Sequence, residues 1–233
     1  MRRLLVFCKE PAPGKVKTRL AATIGPESAE SLAWALLRDT WRLARLAANA
    51  SGARLELHHS PPQTGPRFRA LIAELGCEAH PQPPGSLGER LSAGLNPDEG
   101  TRIALGSDSP DLPAVQIIEA FERLAPSSAL ASPAPDGGYV LLGLGPGVPA
   151  EALASPAIRW SSPYTLDDTQ AALGRAGVAW LPPLAGWQDV DVIEDLWGLA
   201  GRLQEAPESA PATAAWIRAE RNRLPAQGSS SGC

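Results

Sequence analysis

The chain has 233 residues and a formal net charge of −4, and 44% of its residues are hydrophobic. A chain of this length and apolar content can bury a sizeable core as one domain without disulfide or metal support. The acidic balance argues against a general nucleic-acid or membrane-surface binder, because such proteins carry a surplus of Lys and Arg.

Strand-length apolar runs alternate with helix-length segments along the chain. The first run, at 4–8, is too short for the core of a signal peptide and predicts a strand instead. The other predicted strands lie at 54–58, 102–106, 128–132, 140–144 and 178–181. Helices are predicted at 27–50, 67–75, 89–95, before residue 124, and at 163–176, 190–203 and 212–223.

This alternation predicts one α/β domain, a mostly parallel sheet flanked by helices. We assign the domain to 1–204, a C-terminal helix to 205–226 and a disordered tail to 227–233. No run approaches the ~18 residues of a membrane span. The three cysteines lack metal or redox spacing, so we expect a cytoplasmic protein with free thiols.

A basic loop follows the first predicted strand. The chain has only three lysines, Lys9, Lys15 and Lys17, and with Arg19 they give residues 9–19 a net charge of +3. A loop containing Gly14 that opens onto a helix presents backbone N–H groups to an anion, and the cations then neutralise phosphate oxygens. The pattern predicts phosphate binding; the alternative is a solvated basic turn.

Two carboxylates follow the predicted strand at 102–106. Ligands of such sheets bind beyond the carboxyl ends of the strands, and Mg²⁺ typically takes only one or two protein carboxylates. Asp108, and Asp111 with it, are therefore candidate metal ligands. Alternatively, Ser109 caps the next helix and Asp111 lies near the positive end of its dipole.

Three further carboxylates are candidate catalytic groups: Asp136, Asp189 and Asp191. Asp136 precedes Gly137 and Gly138, which permit close approach of the backbone to a ligand; Asp-Gly is also an ordinary hairpin signal. Asp191 lies three residues before an acidic residue, as in a capping box, or it is a second metal ligand or a general base. Asp189 has no such structural explanation.

Other chemistries have weaker support in the sequence. There is no Gly-x-Ser-x-Gly motif of a hydrolase, no Gly-x-Gly-x-x-Gly after the first strand and no zinc-like histidine spacing. Trp160 and Trp187 lie near predicted loops, where they are placed to line an acceptor pocket.

The motifs together match a known pattern. They are Phe7-x-Lys9-x-Pro-x-Pro-Gly-x-x-Lys17-Thr-Arg-Leu, Leu87-Gly-Glu-Arg90, Gly106-Ser-Asp-Ser-Pro-Asp-Leu112, Asp136-Gly-Gly-Tyr139 and Asp189-Val-Asp191. Over about residues 4–200 the chain resembles a bacterial family of arsenosugar-biosynthesis-type glycosyltransferases, relatives of the nucleotide-diphospho-sugar transferase (GT-A) superfamily. The lysine loop is also similar to the phosphate loop of phospholactate guanylyltransferases.

This resemblance implies a GT-A-like, Rossmann-like fold and a role for each motif. Lys9, Lys17 and Arg19 would hold the phosphates of a nucleotide, Arg90 would approach the nucleotide, and Asp108 would be the metal carboxylate. Asp136, Gly137 and Gly138 would lie where the sugar or acceptor meets the diphosphate.

The predicted function is glycosyl transfer from a nucleotide-diphosphate sugar to a small-molecule acceptor, dependent on Mg²⁺ or Mn²⁺. The alternative is nucleotidyl transfer, in which a phosphorylated acceptor attacks an NTP and pyrophosphate leaves. A third hypothesis is a non-catalytic nucleotide-binding module. None of the three involves a nucleic-acid partner.

Overall fold

The computed structural model describes residues 1–96 and 100–226. Its seven strands form one sheet in the order β3-β2-β1-β4-β6-β5-β7, in which only β6 runs antiparallel to its neighbours. The strands are β1 (Arg2–Lys9), β2 (Arg54–Ser60), β3 (Glu78–Pro81), β4 (Thr101–Leu105), β5 (Ser128–Pro133), β6 (Tyr139–Leu144) and β7 (Ala179–Trp180). The sheet confirms the predicted single α/β fold.

Helices cover both faces of this sheet. The helices of the described residues are α1 (Thr18–Ile24), α2 (Pro26–Ser51), α3 (Pro66–Leu75), α4 (Leu87–Leu95), α5 (Ala114–Arg123), α6 (Thr165–Arg175), α7 (Ile193–Glu205) and α8 (Pro211–Glu220). Of these, α2 to α6 pack on the sheet. A short 3₁₀ helix at Ala150–Ala154 lies between β6 and α6. The helix bounds agree with the sequence analysis to within a few residues for most elements.

Alternation along β1 divides the core into two layers. Leu4 and Val6 pack with side chains of α2, α3 and α5, whereas Leu5 and Phe7 pack with α4, the 3₁₀ helix and α6. Successive side chains of a strand point to opposite faces, so an unbroken apolar strand requires helices on both sides.

A third cluster joins the two ends of the chain. The outer side of α2, through Leu32 and Leu36, packs against α1, α7 and α8. Asp39 of α2 is buried, and its carboxylate accepts hydrogen bonds from the backbone N–H groups of Ala212 (3.1 Å) and Thr213 (2.7 Å) at the start of α8. This cap ties the predicted C-terminal helix to the domain.

The extended chain after β7 carries residues from the sheet edge towards its centre. The N–H of Leu184 donates to Ala131 O and that of Trp187 to Pro133 O, so this segment follows β5. Val190 N–H then donates to Asp108 O, just beyond the end of β4, at 3.1 Å. The side chains flanking Val190 are thereby brought to the carboxyl end of β4.

Several elements differ from the sequence-based expectation. The sequence analysis did not predict strand β3, because this strand has only four residues, is half-exposed and lies at the edge of the sheet. The strand predicted at 178–181 is shortened to the two residues of β7, and Pro182 and Pro183 follow after Leu181. The tail predicted at 227–233 lies outside the described residues. No helix in the described part of the chain is long and apolar enough to cross a bilayer.

A buried ion pair links β1 to β2. Arg3 donates to both oxygens of Glu56, at 2.9 and 2.7 Å, and His58 Nε2 lies 3.1 Å from Glu56 Oε2. Burial alone would raise the pKa of Glu56, but the hydrogen bonds from Arg3 and His58 outweigh it and hold that pKa well below its usual range.

We expect Glu56 to make the protein acid-sensitive. Because folding lowers this pKa, its stabilisation is present above the unfolded value of roughly 4.3 and is lost as the pH falls towards the folded value. In urea unfolding, Glu56→Gln should be less stable near neutral pH. Below about pH 4.3 its unfolding free energy should fall less steeply than that of the wild type, by up to about 1.4 kcal/mol per pH unit. The exposed Glu119→Gln should keep the wild-type slope; equal slopes in all three proteins would contradict the assignment.

Candidate functional site

The basic loop between β1 and α1 places one lysine in an unusual conformation. Gly14 has φ +66°, and Lys17 itself is left-handed, with φ 47° and ψ 44°, where it precedes the first residue of α1. Non-glycine residues seldom adopt this conformation, which costs free energy and persists only when the surroundings hold it. The Lys17 side chain makes no capping bond to α1 and extends into the protein instead.

The Lys17 ammonium joins two carboxylates from distant parts of the chain. Its Nζ lies 2.9 Å from Asp108 Oδ2 and 2.9 Å from Asp191 Oδ1. The Lys17 side chain is 5% exposed, against 40% for Asp108 and 42% for Asp191. Burial alone would lower the pKa of Lys17, but the two carboxylates raise it above its usual value, so the buried amine stays charged.

The capping role predicted for Asp191 is wrong. Helix α7 begins at Ile193, and Asp195 Oδ2 accepts hydrogen bonds from the N–H groups of both Asp191 and Val192 at 2.9 Å. The N-cap of α7 is Val192, one residue later than the predicted capping box requires, so Asp195 takes the acidic position of the box. The Asp191 carboxylate is left for Lys17.

A cavity of about 500 Å³ opens beside this ion pair. We call it the lysine cavity, because Lys9, Lys15 and Lys17 all line it. Arg90 supplies a fourth cation, and its Nε is buried without a hydrogen-bond partner among the described residues. A buried donor of this kind requires an acceptor from outside the chain or a water molecule. All three lysines of the chain, which the sequence confines to one loop, thus line the same cavity.

The walls of the lysine cavity include residues that the sequence analysis missed. Phe7 and Leu87 are apolar walls, and Leu87 is 45% exposed. Gln82 donates from Nε2 to His58 O (2.7 Å) and Cys8 O (3.2 Å), which fixes the chain after β3. Phe7 and Leu87 stand in the motifs that carry the family resemblance, but no role was predicted for them, and Gln82 lies in a Pro/Gly-rich segment that predicted only a loop.

Asp189 lies among the same charges. Burial, and then the neighbouring carboxylate of Asp191, raise the pKa of Asp189 to about 6, although Lys17 opposes the shift. The more distant Asp136 and Asp108 act in the same direction as Asp191. Three predicted carboxylates and the lysine are therefore within electrostatic reach of Asp189.

The segment around Asp136 forms a hairpin, the alternative that the sequence left open. Strands β5 and β6 pair antiparallel, and Asp136 Oδ1 accepts a hydrogen bond from Gly138 N at 2.9 Å. Gly137 has φ +88°, and a Cβ there would lie 2.1 Å from Pro163 O. The requirement for glycine at 137 thus comes from contact with the chain before α6.

Asp111 does not line the lysine cavity. Its carboxylate is buried and accepts hydrogen bonds from Arg202 Nε (2.6 Å), Arg202 Nη2 (3.3 Å) and Trp187 Nε1 (3.1 Å). The alternative in which Ser109 caps the next helix is wrong as well, because α5 begins at Ala114 and its N-cap is Pro113. Both carboxylate oxygens are already engaged by protein donors.

Four predicted nucleotide or phosphate contacts also lie outside the lining of the lysine cavity: Gly14, Arg19, Gly137 and Gly138. Gly14 forms the turn that precedes the lysines, with Lys15 N–H donating to Ala12 O at 3.0 Å. Arg19 is exposed on α1. In the described ranges 1–96 and 100–226, no group of three His, Cys, Asp or Glu side chains is arranged to hold a metal ion.

Comparison with known proteins agrees with this fold. Residues 43–162 match the DUF2064 family, described as an uncharacterized protein conserved in bacteria. No curated protein matches the chain. A solved structure from Desulfovibrio desulfuricans G20, provisionally assigned as a nucleotide-diphospho-sugar transferase, is 28% identical. Its TM-score is 0.81, and the match covers 95% of this chain and 96% of that one.

More distant structures share the fold alone. A cytidylyltransferase from Leptospira borgpetersenii has a TM-score of 0.54 at 10% identity, over 95% of this chain and 94% of that one. A nucleotidyl transferase from Methanothermobacter has a TM-score of 0.53 at 13% identity, over 87% of this chain and 98% of that one. These likenesses agree with the predicted α/β fold; the arsenosugar-type family stays a prediction.

Proposed function

The chain belongs to the DUF2064 family of uncharacterized proteins conserved in bacteria, and we propose that it is a nucleotide-using transferase. The observation that carries the proposal is the lysine cavity, where three lysines and Arg90 face a space of about 500 Å³. Such a set of cations suits a diphosphate. The provisional name of the 28% identical structure supports the same class of reaction.

Within this class we favour glycosyl transfer from a nucleotide-diphosphate sugar. The acceptor oxygen bonds to the anomeric carbon of the sugar as the bond from that carbon to the diphosphate oxygen breaks. Lys9, Lys15 and Lys17 then face the charge that develops on the leaving diphosphate. Stabilisation of charge where it develops is commonly the largest catalytic contribution.

Asp189 is our candidate for the group that accepts the proton of the acceptor hydroxyl. Among the described residues, neither an ion pair nor a side-chain hydrogen bond occupies its carboxylate, whereas Asp191 pairs with Lys17 and Asp136 accepts from Gly138 N. A general base must be free to contact the proton that it removes. Asp136 and Asp191 therefore take the secondary roles of shaping the hairpin and holding Lys17.

The residues around Lys17 fit a divalent cation. Asp108 and Asp191 both line the lysine cavity with partly exposed side chains, and Mg²⁺ typically takes one or two carboxylate ligands and fills the rest with water and phosphate. Asp108 would hold the ion, with Asp191 beside it. When bound, Mg²⁺ or Mn²⁺ supplies further positive charge to the diphosphate.

Nucleotidyl transfer is the second candidate. Four cations around one cavity also suit the pyrophosphate that leaves when a phosphorylated acceptor attacks the α-phosphate of an NTP. The two reactions differ in their products. Release of pyrophosphate when NTPs are incubated with candidate phosphorylated acceptors would identify nucleotidyl transfer.

A thermal-shift screen tests the proposed function directly. Nucleoside diphosphates, NTPs and nucleotide sugars are added with and without Mn²⁺. A ligand at about 100 times its Kd should add about 2.7 kcal/mol of stability, which raises Tm by roughly 5–10 °C for a chain of this size. The proposal would be contradicted if no nucleotide raised Tm, either with Mn²⁺ or without it.

A further inference from the structure

A second cavity, of about 410 Å³, lies beside the extended segment that follows β7. Its walls are residues 133–135 at the end of β5 and 186–188 of the extended segment, together with Arg202 of α7. We call it the Trp187 cavity. The hydrogen bond from Trp187 N–H to Pro133 O, 2.9 Å long, holds its two walls together.

The Trp187 cavity adjoins the lysine cavity along the chain. Gln188 lines the first and Asp191 lines the second, so their Cα atoms are at most about 11 Å apart. Asp189 lies between them, and Asp136 directly follows the 133–135 wall. The candidate base is therefore one residue along the chain from the wall of the Trp187 cavity and two residues from that of the lysine cavity.

Asp111 orients the polar groups of this cavity. Its buried carboxylate accepts from Trp187 Nε1 and from Arg202 Nε and Nη2, and the Arg202 guanidinium carbon lies 5.5 Å from the centre of the Trp187 ring. Among the described residues, none accepts a hydrogen bond from Arg202 Nη1. The cavity thus combines apolar walls and an indole with one available donor.

From this arrangement we propose that the Trp187 cavity binds the acceptor, a monosaccharide-sized cyclic polyol. That the bound polyol is the acceptor rests on the proposed function; that the cavity binds a polyol does not. The C–H face of a sugar ring packs on proline and indole surfaces, while its hydroxyls meet Arg202 Nη1 and the Asp189 carboxylate. Small-molecule sites generally combine mostly apolar walls with a few placed polar groups. Asp111 is a positioning residue in this site, since it acts through Trp187 and Arg202.

Binding is measured by saturation-transfer NMR with methyl glycosides of glucose, galactose, mannose and ribose as probes. Each sample also contains a nucleoside diphosphate and Mg²⁺, so the two ligands report separately. At least one glycoside should receive saturation from the wild-type protein. Gly186→Leu adds a side chain to a residue of the cavity wall, with its Cβ 3.3 Å from Pro133 O. In this variant the affinity for the glycoside should fall at least tenfold while the nucleotide signals remain.

Two further variants keep the test specific. Trp187→Phe retains a ring but loses the bond to Asp111, and should weaken glycoside binding several-fold without changing the nucleotide signals. Gly174→Leu, on the exposed side of α6 with open space around it, should match the wild type.

The proposal is overturned if no glycoside binds the wild type, or if Gly186→Leu binds it as well as Gly174→Leu does. If the nucleoside diphosphate receives no saturation from the wild-type protein, the proposed function is contradicted instead, so the two failures are distinguishable.

Discussion

Replacing Lys17 with Met is expected to lower turnover of the donor found in the ligand screen by roughly 100-fold or more. Nucleotide affinity should fall by roughly 10- to 100-fold, since a hydrogen bond to a charged group contributes about 1.5–3 kcal/mol. Met keeps the length of the side chain but removes the charge that joins Asp108 and Asp191. Those carboxylates then repel an incoming diphosphate instead of being neutralised. Steady-state kinetics and calorimetric titration measure the two effects.

Arg19→Met is the matched control for Lys17→Met. Both variants remove one positive charge from the same loop and helix, but Arg19 is exposed and does not line the lysine cavity. Its nucleotide affinity should stay within about twofold of the wild type, because an exposed charge at a distance is largely screened by salt. If the two variants lose equal affinity, the basic loop acts through its overall charge and the specific role of Lys17 is refuted.

Asp108→Asn should also lower turnover by roughly 100-fold or more, for a different reason. The substitution keeps the size of the side chain but removes one anionic partner of Lys17 and the candidate metal ligand. Binding of Mn²⁺ to the nucleotide-loaded protein, followed by electron paramagnetic resonance, should therefore weaken. Nucleotide affinity without metal should be retained or improved, because a negative charge has been removed from the cavity.

Asp167→Asn provides the comparison for Asp108→Asn. Asp167 is an exposed residue in the first turn of α6, and its loss should change stability only by some tenths of a kcal/mol. Turnover and Mn²⁺ binding should both match those of the wild type. Wild-type Mn²⁺ binding in Asp108→Asn would show that the metal ligand lies elsewhere.

Local sequence patterns were sufficient for most of the fold. The apolar run of β1 and the long amphipathic α2 each contain enough residues for their periodicity to identify them, and the alternation of such elements implied an α/β sheet. Strand β3 and the 3₁₀ helix escaped detection because a segment of four or five residues shows little periodicity. Their conformations depend on the neighbours against which they pack.

The candidate site was predictable where its residues follow strand ends. Lys9, Lys15 and Lys17 share one loop, and Asp108 follows β4, so the carboxyl-end rule alone predicts that they lie close together. The role of Phe7, Gln82 and Leu87 as cavity walls was not predictable, because an ordinary apolar or amide side chain becomes a cavity wall only through the position of its element.

The sequence by itself determined the α/β class and the confinement of lysine to one loop, because both depend on residues close together in the chain. Only the tertiary structure decided the partners of the carboxylates. Asp191 pairs with Lys17 across 174 positions, and Asp111 pairs with Arg202 across 91. The physical reason is that the extended segment after β7 must follow β5 and cross to the end of β4. That path is set by inter-strand hydrogen bonds and core packing, which no local pattern encodes.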